Sequence, residues 1–132
     1  MPDGTITTPA APAPLKYERT SNFISTYANS VYFEASAWDL KLIFGQLDQT
    51  SANPAVQQNV AITVPWAQAK LALFWLRLHI EVAEVQVGKF VLRKDVIPPE
   101  APALTPEQEK DDMTKITHDL YVRLRDEFLK NG

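Results

Sequence analysis

The stretch that decides the fold runs from Pro65 to Val87, PWAQAKLALFWLRLHIEVAEVQV. Stepped at about 100° per residue, it is apolar on two opposite sides of a helix. Leu71, Phe74, Trp75, Leu78, Val82 and Val85 gather on one side. Ala72, Leu73, Leu76, Ile80, Ala83 and Val87 gather on the other. Lys70, Arg77, Glu81 and Glu84 form one narrow polar stripe between them, and Gln68, His79 and Gln86 form the second. A surface helix needs one apolar face. A helix with two must lie between two layers. The larger face, with Phe74, Trp75 and Leu78, is expected to cover a sheet. The face with Ala72 and Ala83 permits close helix approach, within the chain or across subunits.

The whole chain has 132 residues, a one-domain length, and is 45% apolar. Covering both faces of this helix strains a chain of that size, so a homo-oligomer is expected, a dimer first. The helix is long enough to raise a transmembrane reading, but Lys70, Arg77, His79, Glu81 and Glu84 interrupt it at high insertion cost. A buried helix of a soluble protein is expected instead. The net charge of −3 argues against nucleic acid or anionic membrane as a general partner. The chain has no cysteine, hence no disulfide and no thiolate metal site, which fits a reducing, cytoplasmic compartment. The N-terminus lacks the basic start and apolar run of a secretory signal.

Outward from the helix, the preceding sequence alternates. Val31, Phe33 and Ala35 face one way and Ser30, Tyr32, Glu34 and Ser36 the other, giving a strand over 27–36. Trp38, Leu40, Leu42 and Phe44 continue the alternation after a turn centred on Ser36-Ala37. The polar run 48–58, with Asn53-Pro54, reads as a loop. Val60, Ile62 and Val64 make a third strand. Pro65 is expected at the first helical position and Gly88 at the helix end. Lys89 to Val96 is a fourth strand or irregular.

The predicted class is α+β: a small antiparallel sheet of three or four strands packed on one long helix, plus a C-terminal amphipathic helix. Residues 1–22, rich in Pro, Ala and Thr, read as a disordered tail, with order beginning near Phe23. Residues 23–96 form the α+β core domain and 97–104 a stiff Pro-rich linker. The last helix, 105–130, opens on the capping box Thr105-Pro106-Glu107-Gln108. Met113, Ile116, Leu120, Tyr121, Leu124 and Phe128 form its single stripe.

Chemistry is sparse. His79 shares its stripe with two glutamines, poor metal partners, and reads as a structural or interface histidine. His118 reads as solvated. Glu34 and Asp39 could pair across the hairpin, but an exposed hairpin gives them no cleft. Tyr32, Phe33, Trp38 and Phe44 resemble a base-stacking platform, yet only Lys41 is near, so they read as core. No Gly-rich phosphate loop occurs. No catalytic residue, metal or cofactor is expected. The residues singled out are interface candidates: Trp66, Ala72, Leu73, Leu76, Ile80 and Ala83 on the long helix, and Leu120 and Leu124 on the last.

Tyr27-x-Asn29, then Val31, Phe33 and Glu34, then Ser36-x-x-Asp39, then Phe44-Gly45, resembles the opening of a family of short bacterial proteins catalogued only as a domain of unknown function. Val60–Val64, Pro65, Ala69-Lys70 and Gly88 continue the likeness, which covers about half the chain. A serine is usual before the proline, and Val64 stands there. This resemblance implies no activity or cofactor. The element order also resembles that of SecB-type export chaperones. The readings carried forward are an oligomeric scaffold or adaptor, then a SecB-like holdase for unfolded chains, then an enzyme of unknown class.

Overall fold

The computed structural model describes residues 14–48, 50 and 52–131. Most of the expected N-terminal tail therefore lies outside the described residues. Residues 14–22 of it are in no helix or strand; the Phe23 N–H closes a turn on the Thr20 carbonyl (3.0 Å), and the Arg19 guanidinium sits 4.7 Å over the Phe23 ring. The chain divides into two units, Met1–Val64 and Pro65–Gly132.

The first unit holds a three-stranded antiparallel sheet in the order β1-β2-β3, with β1 Ser30–Ala35, β2 Asp39–Asp48 and β3 Ala55–Pro65. Register follows the alternation. Val31, Phe33 and Ala35 stand opposite Phe44, Leu42 and Leu40, so one face is wholly apolar; Tyr32 opposes Ile43 and Glu34 opposes Lys41 on the other. Two boundaries differ from expectation. The hairpin is centred on Ala37-Trp38, because Ser36 N–H donates to the Asp39 carbonyl (2.9 Å). β3 begins at Ala55, so Gln57 and Gln58 are strand rather than loop. These polar residues are exposed there, and the backbone ladder rather than burial holds them.

Among the described residues only Gly45 is buried, and close approach explains it. A Cβ there would lie 2.6 Å from the Gln57 carbonyl oxygen and 2.9 Å from Val56 Cγ1. Beside it, the Asn29 side chain accepts from the Leu47 N–H (2.7 Å), Asn29 N–H donates to the Gly45 carbonyl (3.1 Å), and Gln46 donates to the Tyr27 carbonyl (3.1 Å). The side chain of Asn29 thus extends the ladder one step past the end of β1.

The second unit holds three helices: α1 Trp66–Val87, α2 Pro106–Glu109 and α3 Asp112–Asn131. Pro65 is the N-cap of α1, not its first helical residue; φ −61° and ψ 154° keep it extended as the last residue of β3. It makes no side-chain cap, and no acidic residue supports the first turn. Gly88 ends the helix at φ 97°, ψ 168°, a region open in practice to glycine alone, with its N–H on the Glu84 carbonyl (2.9 Å). Residues 89–96 are irregular rather than a fourth strand.

The last helix is two helices. Thr105 and Gln108 form the expected capping box, but α2 stops after four residues. Asp111 then caps α3: its carboxylate accepts from the Met113 N–H (3.3 Å) and from the Thr114 hydroxyl (2.6 Å). A side chain that takes these bonds competes with continuation of the helix through it. The Pro-rich segment does not stand away as a spacer. It folds back along α3, where the Arg125 guanidinium donates to the Pro98 carbonyl (2.8 Å) and the Tyr121 hydroxyl to the Pro99 carbonyl (2.6 Å).

Candidate interaction surface

No described apolar side chain is buried. That single property governs what each unit can do. The interface candidates on α1 are open: Trp66 is 43% exposed, Leu73 64%, Leu76 60% and Ile80 44%. Ala72 is exposed and Ala83 half-buried. The opposite face is as open at Phe74 and Trp75, whose rings meet edge to face at 5.1 Å. On α3, Leu120 and Leu124 are exposed along with the rest of the stripe. In the sheet, Val31 and Phe33 of the apolar face are exposed, as is Ile62 of β3, while Leu40, Leu42 and Phe44 are half-buried.

Magnitude decides what this exposure means. Full burial of a leucine or isoleucine contributes about 1.5–3 kcal/mol. Covering Leu73, Leu76 and Ile80 from their present exposure would contribute roughly 3–5 kcal/mol per chain, comparable with the low end of whole-domain stability. α1 has no side-chain cap at its N-terminus to offset its loss, and isolated helices are marginal in water. Its apolar faces therefore need cover.

The candidate chemistry resolves into structure. Glu34 meets Lys41 (3.9 Å) rather than Asp39, because the turn centre lies one residue beyond Ser36-Ala37. Asp39 instead accepts from the Ser36 hydroxyl (2.8 Å), and Ser36 Oγ accepts from the Trp38 and Asp39 N–H groups (3.1 and 3.0 Å). One serine thus organises a two-residue turn without glycine. Trp38, expected in the core, sits at the tip of that turn and is 83% exposed. Across the sheet's other end, the Thr50 hydroxyl and N–H hold the Asp48 carboxyl below its ordinary value.

His118 is half-buried rather than free in solvent. Its side chain is 25% exposed and lines a groove of about 500 Å³ with Pro99, Pro102, Leu104, Met113 and Tyr121. Nδ1 has no hydrogen-bond partner and stands 3.6 Å from Asp119 Oδ1. The fold-back of 98–104 forms one wall of this open groove, and no pattern in the sequence foretold that contact. His79 lies exposed on α1. Among the described residues no group of three or more His, Asp or Glu is placed to hold a metal, and no helix is long and apolar enough to cross a membrane.

No family model, curated protein or solved structure matches this chain.

Proposed function

We propose that this protein is a non-enzymatic scaffold or adaptor that folds and acts as a homo-oligomer in the cytoplasm, without cofactor, nucleic acid or membrane as partner. The observation that supports it is the open state of every apolar face described above. α1, α3 and one side of the sheet each present side chains that water disfavours, and association covers them. The acidic, cysteine-free composition fits the compartment. The same exposed side chains favour a second reading, a holdase that captures unfolded chains, in which part of this surface stays open after assembly.

Light scattering on the full chain from nanomolar to micromolar concentration tests the first reading. A stable oligomer that binds little hydrophobic dye supports the scaffold. An oligomer that binds dye strongly and suppresses aggregation of an unfolding client supports the holdase. A monomer at micromolar concentration refutes both.

A further inference from the structure

We propose that α1 pairs antiparallel with α1 of a second copy, through a seam of Ala69, Leu73, Leu76, Ile80, Ala83 and Val87. This rests on the oligomer reading and specifies its geometry. These six positions are spaced alternately by four and three residues, the spacing of a heptad seam. Laid antiparallel in the one register that uses all six, the seam is complementary in size. Leu73 meets Ala83 of the second copy, Val87 meets Ala69, and Leu76 meets Ile80. Each alanine faces a large side chain, so the layers interdigitate and the helices can cross at the shallow angle of a left-handed pair.

Charge supports the same register. Lys70, Arg77 and Glu84 flank the seam on one side. The antiparallel arrangement places Lys70 beside Glu84 of the second copy, once at each end. Among the described residues Lys70 has no ion-pair partner in its own chain. One Glu84 oxygen accepts from the Phe90 N–H (2.9 Å), which leaves the other for a lysine. At the centre the two Arg77 side chains approach each other, and each is neutralised by Glu81 one turn along its own helix (3.1 Å). A parallel pair would instead face Lys70 to Pro65, Arg77 to Ala72 and Glu84 to His79 of the second copy, so that Lys70 meets no carboxylate. On the other flank the two His79 residues meet near the two-fold axis, offset by about 3 Å along the helix direction, whereas the two Gln86 residues lie about 24 Å apart in that direction.

The chain has no cysteine, so single-cysteine variants of the full protein read this geometry directly. With a short bifunctional maleimide, His79→Cys is expected to yield crosslinked dimers and Gln86→Cys none. Charge variants, which leave the seam intact, give a second readout. Lys70→Glu and Glu84→Lys should each weaken self-association by roughly threefold to tenfold, mixing the two should favour the mixed dimer, and the double variant should restore wild-type affinity. Crosslinking at both cysteine positions means a parallel pair and overturns the proposal. An oligomer that crosslinks at neither position, and whose affinity ignores the charge variants, also overturns it while leaving the scaffold reading intact. A monomeric wild type overturns both.

Discussion

Replacing Gly45 by alanine is the sharpest test of the sheet. The new methyl would sit 2.6 Å from a backbone oxygen, that of Gln57, and 2.9 Å from Val56 Cγ1. The oxygen belongs to β3 and cannot swing aside as a flexible side chain would. Either β3 shifts against β2 or the methyl is compressed. Overpacking of this kind costs about 1–3 kcal/mol. Alanine also narrows the unfolded ensemble, which offsets about 0.4–1 kcal/mol. The net expectation is destabilisation by about 1–2 kcal/mol, or a Tm lower by roughly 3–10 °C for a chain of this length. Thermal and urea unfolding followed by circular dichroism measure it, at one fixed protein concentration because association would shift the midpoint. An unchanged or raised Tm would refute the close approach of β2 and β3 at this point, and with it the reason for a glycine there.

Two further outcomes are expected. Ser36→Ala removes the acceptor shared by the Trp38 and Asp39 N–H groups and should lower stability by about 0.5–2 kcal/mol, whereas Ser36→Thr, which keeps the oxygen, should cost much less; equal losses would show that the hydroxyl does not organise the turn. Tyr121→Phe combined with Arg125→Met removes both bonds to the Pro98 and Pro99 carbonyls and should release 98–104 from α3, seen as faster proteolytic cleavage in that segment with the sheet unaffected; unchanged cleavage would mean that the apolar groove alone holds it.

Much of the secondary structure is legible in the sequence because it rests on periodicity. The alternation of Val31, Phe33 and Ala35 against Leu40, Leu42 and Phe44 survives intact in the register. Gly88 and the Thr105–Gln108 box are short-range signals with short-range causes, and both act where expected. Two of the misses come from side chains that substitute for backbone. Ser36 moves the hairpin centre by one residue through its hydroxyl, and Asp111 splits the last helix through its carboxylate. Neither effect has a periodic signature. The setting of His118 depends on residues 99–104 returning to α3, a contact between segments that composition describes only as stiff. As for the interaction surface, the two-faced pattern of Pro65–Val87 announced that α1 would need cover. It could not announce how open Leu73 and Leu76 stand, since exposure belongs to the fold and not to the pattern.

The order β1-β2-β3 leaves β3 as an outer strand, and its composition makes that position hazardous. From Ala55 to Pro65 it carries no charged residue, runs for eleven residues, and ends in Val60-Ala61-Ile62-Thr63-Val64. The opposite outer strand, β1, is only six residues long and carries Glu34. Long, uncharged, β-branched edges are the templates on which chains add to one another in register and grow into fibrils. Within the strand the guard against that growth is Pro65, which lacks an N–H and stops the ladder at one end. A lysine at Gln58 or Thr63 would supply the missing gatekeeper, and should slow any fibril growth from this strand.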